Sequence, residues 1–123
     1  MAEQRILLLE DDPDVAELLL LVLRKGGYIV DLATTVAQAD HRLAERGYGL
    51  VVADWRLPDG DGTAVADRAA DLGAKTAVLT GYASQMLPGK AARHEIWMKP
   101  MRPRELVAAV ERCVGSASGS GHQ

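Results

Sequence analysis

Five short apolar segments alternate with five longer segments whose apolar residues recur at helical spacing, and this alternation constrains the fold more than any other feature. The apolar segments are bounded by turn-forming residues, as strands are, and they span residues 5–9, 28–32, 49–53, 75–79 and 95–98. Helices are predicted over residues 14–25, 36–46, 63–72, 83–92 and 103–114. Such alternation is typical of βαβ units, and it predicts an α/β fold in which one parallel sheet carries helices on both faces.

The fourth helical segment and the C-terminal residues depart from this regular pattern. Pro88-Gly89 would interrupt the helix over 83–92 after little more than one turn, so we expect a short helix or an irregular loop there. Residues 115–123 are rich in Gly and Ser, which predicts a disordered tail. We therefore expect one folded domain over residues 1–114, followed by this tail.

The composition is that of an ordinary globular domain, and it argues against several classes of function. Hydrophobic residues make up 48% of the 123 residues and aromatic residues only 4%, so the core must be mainly aliphatic. The net charge of −3 and the lack of a long basic cluster argue against direct nucleic-acid binding. The longest apolar run, Leu18 to Leu23, is too short for a membrane span, and the N-terminus lacks a signal-peptide pattern. We therefore expect a cytoplasmic protein.

Charged and hydroxyl side chains stand directly after four of the five predicted strands. They are Asp11 and Asp12 after the first, Asp54 after the third, Thr80 after the fourth and Lys99 after the fifth. Open α/β sheets bind ligands beside the carboxyl ends of their strands, so these groups should share one pocket. Two carboxylates about 4 Å apart repel by about 4 kcal/mol at an effective dielectric of about 20, and a cation together with Lys99 would offset this repulsion. The pattern predicts a site for a divalent cation and a phosphoryl group, with Asp54 ionised and nucleophilic.

Four short motifs occur in the order in which a known family carries them. They are Glu10-Asp11-Asp12, Asp54 with Pro58 and Gly62 after it, Thr80-Gly81, and Lys99-Pro100. Over about residues 4–114 the chain thereby resembles the receiver domain of bacterial two-component response regulators. The resemblance implies a flavodoxin-like, doubly wound (βα)5 fold with a five-stranded parallel sheet in the order 2-1-3-4-5.

The resemblance also implies how the domain would be phosphorylated. Asp54 would accept the phosphoryl group from a sensor histidine kinase or a histidine phosphotransfer protein. Thr80 would hydrogen-bond to this group, Lys99 would pair with it, and the Lys99-Pro100 peptide bond would be cis. The domain would act on an unknown downstream protein, could form a weak homodimer, and would catalyse nothing beyond its own phosphorylation and dephosphorylation.

A Mg²⁺ ion is the cofactor that the resemblance implies. Asp12, Asp54 and the backbone carbonyl of Arg56 would hold the ion, and Asp11 would bind it directly or through a water. Asp12 followed by Pro13 is also a typical start of a helix, so a purely structural role as an N-cap stays open for Asp12.

One position departs from the family pattern. Receiver domains usually carry an aromatic residue three positions before the lysine, and here that position is Ile96. Trp97 is its neighbour, but alternation along a strand places it on the opposite face of the sheet. We therefore hypothesise that phosphorylation biases an order–disorder equilibrium in residues 82–94 instead of an aromatic rotamer.

Several alternatives remain open from the sequence. The chain could be a stand-alone regulator or a receiver domain from a longer hybrid kinase or regulator. The segment Asp59-Gly60-Asp61-Gly62-Thr63 superficially matches the signature of haloacid dehalogenase-like phosphatases, although Pro58, and not an apolar strand, precedes it. A module that is never phosphorylated would be expected to lack part of the acidic set.

Some side chains outside the pocket have both an ordinary and a functional interpretation. On the first helix, Leu18 is expected to pack on the sheet, whereas Leu20 and Leu21 turn toward the other face and could form an apolar docking surface. His41 and His94 are expected to be surface or hydrogen-bonded histidines without a role in phosphotransfer or metal binding.

Overall fold

The computed structural model describes residues 5–81 and 93–115. Its elements are β1 (Arg5–Leu9), α1 (Pro13–Lys25), β2 (Ile29–Ala33), α2 (Val36–Glu45), β3 (Leu50–Asp54), β4 (Arg56–Leu57), β5 (Gly60–Asp61), α3 (Gly62–Asp71), β6 (Lys75–Thr80), β7 (Glu95–Met98) and α4 (Pro103–Val114). Each of the helices in this part of the chain is too short or too polar to cross a lipid bilayer.

One parallel sheet organises the domain. Its strands lie in the order β2-β1-β3-β6-β7, while β4 and β5 form a separate antiparallel hairpin of two residues each. Since β6 and β7 are the fourth and fifth strands of the main sheet, the predicted order 2-1-3-4-5 is confirmed. The predicted fourth helix over 83–92 and the tail beyond residue 115 lie outside the described residues, so both stay predictions, as do the domain boundaries.

The two faces of the sheet bury separate apolar layers because successive side chains of a strand point in opposite directions. In β1, Ile6 and Leu8 pack into the layer beneath α1 and α4, and Leu7 and Leu9 pack into the layer beneath α2 and α3. All four side chains are essentially inaccessible to solvent. A strand that is buried on both faces reads as a continuous apolar run, as β1 and β3 do in the sequence.

Helix α1 begins where its capping residues predict. The Asp12 Oδ1 atom accepts hydrogen bonds from the backbone N–H groups of Asp14 and Val15, and Pro13 occupies the first helical position. The prediction for Leu18 is wrong, because 48% of this residue is exposed. Leu20, which we expected on the outer face, is partly buried against the core. The buried stripe of α1 is therefore rotated by part of a turn from the predicted one.

Candidate metal and phosphoryl site

Three predicted site residues meet at the carboxyl edge of the sheet. Asp54 is the last residue of β3 and pairs with Leu79, which places Thr80 one residue further along the neighbouring strand. The backbone N–H of Lys99 donates to the Thr80 carbonyl at 2.9 Å, so the lysine follows directly after β7 at the same edge. From there its Nζ atom reaches to 2.9 Å from Oδ1 of Asp54. Parallel pairing in this register thus accounts for the convergence of residues 54, 80 and 99.

An acidic group surrounds this lysine contact. Glu10, Asp11 and Asp54 each offer a carboxylate oxygen, and these three atoms lie within 4.8 Å of one another. Glu10 and Asp54 are buried, whereas Asp11 is exposed to solvent. Oxygen ligands with water access on one side are what a hard divalent cation requires. Among residues 5–81 and 93–115, these three acidic residues form the group whose oxygens lie close enough together to hold a metal ion.

Glu10 is the member of this group that sequence reasoning left without a role. Its backbone N–H donates to the Ala33 carbonyl, and its Oε2 accepts from the N–H of Asp12 at 3.1 Å. Its Oε1 lies 3.1 Å from Nζ of Lys99, but the angles of that contact leave Oε1 without a hydrogen-bond donor in the described part of the chain. Buried carboxylate oxygens are normally paired, and carboxylate oxygens are the ligands that a hard divalent cation prefers, so the donor set fits a cation.

The electrostatics of the site are dominated by burial. Burial raises the pKa of Glu10, and the nearby charge of Asp54 raises it further, although the N–H of Asp12 and the charge of Lys99 act in the opposite direction. Burial by itself lowers the pKa of Lys99, but the hydrogen bond and the charge of Asp54, together with Glu10, outweigh it and raise the pKa overall. Lys99 is consequently held as an ammonium between two carboxylates.

Comparison with known proteins agrees with this geometry. A family model for the response regulator receiver domain matches residues 6–111 of the chain. The chain belongs to the receiver domain family. It functions as a receiver domain of response regulators, the signalling class that the four motifs indicated.

Curated relatives include both short and long proteins. This receiver domain is 34% identical over 119 residues to the response regulator receiver protein CpdR of Brucella abortus, and the match covers 93% of the chain and 99% of CpdR. It is 35% identical over 111 residues to the DNA-binding response regulator MtrA of Mycolicibacterium smegmatis. That match covers 87% of the chain but only 49% of MtrA, so the chain spans about half of the longer relative.

Solved structures show the same architecture. The response regulator TrrA of Thermotoga maritima, in complex with Mg²⁺ and BeF, superposes with a TM-score of 0.81 at 28% identity and covers 89% of this chain and 98% of that one. The receiver domain of a sensor histidine kinase from Pseudomonas aeruginosa PAO1, with magnesium in its active-site cleft, gives a TM-score of 0.78 at 28% identity and covers 94% and 100%. Both of those solved structures contain magnesium.

Asp12 lies apart from the acidic group of this receiver domain. Its carboxylate caps α1 through the N–H groups of Asp14 and Val15, at 3.0 and 3.3 Å. The carboxylate is thereby turned toward the helix end, and the group that gathers around Lys99 contains Glu10 instead. Asp12-Pro13 is a helix-start pattern, so the sequence left an N-cap role for Asp12 open, but the structure is what places Glu10 beside Lys99.

Gly62 brings helix α3 against the backbone of the predicted phosphoacceptor. The N–H of Gly62 donates to the carbonyl of Trp55 at 2.8 Å, and a Cβ atom on Gly62 would lie 1.8 Å from the backbone oxygen of Asp54. Only glycine fits this approach. Arg56, the predicted carbonyl ligand, directly follows Trp55 and is the first residue of β4. Its guanidinium lies 4.8 Å from the centre of the Trp55 ring.

The phosphatase-like segment serves a structural purpose in the described structure. Asp59 accepts hydrogen bonds from the backbone N–H groups of Val36 and Ala37, at 2.8 and 3.1 Å, and so ties the β4–β5 hairpin to the start of α2. Asp61 caps helix α3 by accepting from the N–H of Thr63. Neither carboxylate belongs to the acidic group around Lys99.

The strand before Lys99 has the alternation that we predicted. Trp97 is buried and its indole N–H donates to Glu95, whereas Ile96, at the usual aromatic position, is exposed on the other face. The Lys99-Pro100 peptide bond is cis, as predicted. Most of the segment 82–94, in which we hypothesised an order–disorder switch, lies outside the described residues.

An apolar groove opens beside the acidic group. It has a volume of about 530 Å³ and runs between α1 and the segment after β7, lined by Val15, Leu18, Leu19, Leu79, Gly81, Lys99, Pro100 and Met101. Leu18 and Leu21 expose about half of their surface along α1. An exposed apolar surface of this kind, next to polar functional groups, is typical of an interaction site.

Proposed function

We propose that this receiver domain accepts a phosphoryl group on Asp54. An oxygen of the Asp54 carboxylate attacks the phosphorus atom of a phosphorylated histidine, and the bond between phosphorus and the imidazole nitrogen breaks. The electron pair of that bond stays on the leaving imidazole, and an acyl phosphate forms on Asp54. The proposal is carried by one observation, the 2.9 Å contact between Lys99 Nζ and Asp54 within an acidic group.

Three further residues support the transfer. Lys99, whose ammonium stays charged because Asp54 and Glu10 raise its pKa against the effect of burial, pairs with the oxygens of the incoming phosphoryl group. Thr80, buried at the end of β6, donates its hydroxyl hydrogen to the same group. Gly81 leaves open space, because a Cβ atom at this position would meet nothing within 4 Å.

We propose Mg²⁺ as the cation, held by Glu10, Asp11, Asp54 and the backbone carbonyl of Arg56. The shared 4.8 Å neighbourhood of the three carboxylates and the open Oε1 of Glu10 support Glu10 in the place that we predicted for Asp12. When bound, the cation would neutralise charge on the transferring phosphoryl group and reduce the repulsion between the carboxylates. Asp12 would remain the cap of α1.

The phosphoryl donor is a histidine kinase or a histidine phosphotransfer protein that docks beside Asp54. Its phosphohistidine must reach Asp54 from the surface, and the apolar groove borders Lys99 and Gly81 at that opening. The exposed face of Leu18 and Leu21 is suited to the apolar side of a donor helix. The downstream partner is a second protein whose contacts change on phosphorylation.

The chemistry is tested with the purified protein, Mg²⁺ and acetyl phosphate, followed by intact mass. The wild type should gain one phosphoryl group, and the Asp54→Asn variant should gain none. Asp59→Asn is the matched control, because it removes an equal charge at an exposed carboxylate outside the acidic group, and it should label as the wild type does. Removal of Mg²⁺ with a chelator should abolish the labelling.

Two outcomes would contradict the proposal. Labelling of Asp54→Asn at the wild-type level would place the phosphate elsewhere. Catalytic turnover of a phosphate ester that is lost in Asp59→Asn would instead favour the phosphatase-like alternative.

A further inference from the structure

A buried histidine joins three elements at the opposite end of strand β7 from Lys99. The side chain of His94 is fully inaccessible to solvent. Its Nδ1 lies 2.5 Å from the hydroxyl of Thr76 on β6, and its Nε2 lies 2.7 Å from Oδ1 of Asp67 on α3. The partners are 18 and 27 residues away in sequence, so the contacts are purely tertiary.

Both ring nitrogens of His94 are paired. The carboxylate of Asp67 can only accept, so Nε2 carries the hydrogen and donates it. Nδ1 forms the second hydrogen bond, with the hydroxyl of Thr76. A buried imidazole with both nitrogens bonded is costly to displace, because a shifted ring would leave polar atoms without partners away from water.

The Thr76–His94 pair extends the strand ladder. The parallel register of β6 and β7 pairs Ala77 with Glu95 and Thr80 with Met98, so Thr76 and His94 occupy the next position before the ladder. Strand β7 has four residues and, within the main sheet, pairs with β6 alone at the sheet edge. A short edge strand has few backbone bonds to define its register, so this side-chain pair carries a large share of that definition.

Register decides where the ammonium of Lys99 lies. A slip of one residue would turn buried Trp97 to the other face, and burial opposes this slip. A slip of two residues keeps the faces but moves Lys99 by about 6.6 Å along the strand, which would break its 2.9 Å contact with Asp54. The bonds of His94 to Thr76 and Asp67 oppose this second slip.

We infer that His94 is a positioning residue for the phosphorylation of Asp54, acting through the register of β7 on the ammonium of Lys99. The inference rests on the proposed function. The neighbouring ion pair between Arg93 and Asp71, at 2.7 Å, cannot replace this contact, because both side chains are more than half exposed and surface ion pairs contribute little.

The test compares three variants of the whole chain. His94→Leu keeps an apolar side chain in the space but removes both ring nitrogens. His94→Asn retains an acceptor near the position of Nδ1, so it is the conservative rescue. Thr76→Val removes only the hydroxyl and keeps a β-branched side chain suited to a strand.

Two readouts are measured for each variant. The first is the hydrogen-exchange rate of the Lys99 amide, which donates to Thr80 and therefore reports on the far end of the ladder without any phosphorylation. The second is the rate of Asp54 labelling by acetyl phosphate. Thr76→Val, which loses one buried hydrogen bond, should speed the exchange and slow the labelling by about fivefold to tenfold. His94→Leu, which loses two, should change both readouts at least as much. His94→Asn keeps a partner for Thr76 but loses the bond to Asp67, so its effect on both readouts should be smaller than that of His94→Leu.

Val30→Ala provides the matched control, because it removes buried volume from β2, the opposite edge strand. At a comparable loss of global stability it should leave both readouts unchanged. Wild-type exchange at Lys99 in Thr76→Val, or an equal effect of Val30→Ala, would overturn the role of His94. If the wild type takes up no phosphate, the proposed function fails, while the Lys99 amide still decides the register inference.

Discussion

Replacing Gly62 by alanine should destabilise the receiver domain, although a glycine-to-alanine change within an ordinary helix stabilises that helix. Gly62 is the first residue of α3, where alanine has a helix propensity better by about 1 kcal/mol at most. A Cβ atom there, however, would lie 1.8 Å from the backbone oxygen of Asp54, and ordinary contacts begin at 3.4 Å. Both sides of the clash are backbone, so no flexible side chain can move away.

The magnitude follows from this clash. Relieving it requires α3 and the end of β3 to move apart by about 1.6 Å. A shift of this size should cost about 3 kcal/mol, the upper end of the usual range for overpacking. After the gain in propensity, a net loss of about 2 kcal/mol remains. A domain of 123 residues has an unfolding entropy of about 0.26 kcal/mol/K, so the midpoint of thermal unfolding should fall by about 8 °C.

Calorimetry or thermal circular dichroism of Gly62→Ala measures this shift, and Gly47→Ala is the control. Gly47 has no atom within 4 Å of the added Cβ and lies outside the glycines with positive φ, so its substitution should change the midpoint little or raise it slightly. Because the Asp54 backbone must move, Gly62→Ala should also accept phosphate more slowly. A midpoint for Gly62→Ala at or above that of the wild type would refute the steric argument.

Two predictions concern the charges of the site. Glu10→Gln should raise the thermal midpoint in the absence of divalent cations, because burial and the charge of Asp54 disfavour the ionised carboxyl. The same variant should bind Mg²⁺ more weakly in a calorimetric titration. An unchanged Mg²⁺ affinity would remove Glu10 from the proposed ligand set. The raised pKa of Lys99 means that its charge stabilises the fold fully below pH 10.5 and loses this effect as pH rises through the higher folded-state pKa. Chemical denaturation should therefore show that the stability difference between wild type and Lys99→Met narrows above about pH 10.5, and a pH-independent difference would contradict this.

The positions of the site residues along the chain were predictable because they follow from strand ends. Apolar runs that stop at Ala53, Leu79 and Met98 predict where three strands end, and parallel pairing aligns those ends whatever the helices do. The fold class could therefore be predicted from local patterns, whereas the strand order came from the resemblance to receiver domains. That Ile96 and Trp97 lie on opposite faces followed in the same way from the alternation along a strand, and the structure shows that Ile96 is the exposed one.

The direction of individual side chains required the tertiary structure. Local spacing alone did not show which of Glu10, Asp11 and Asp12 lie in the pocket. That depends on which carboxylate accepts hydrogen bonds from the free N–H groups at the start of α1, and in the structure it is Asp12. The exposure of Leu18 depends on how α1 is rotated against the sheet, which the packing of the whole layer sets.

For this protein, the order of strands, helices and motifs in the chain determined the fold, the edge of the sheet where the site lies, and its family. Only the tertiary structure decided which acid faces Lys99 and which distant residues hold His94. The physical reason is the separation in sequence over which each interaction acts. Strand ends and caps depend on neighbours within a few residues, whereas contacts between Asp67, Thr76 and His94 exist only after separate elements have packed.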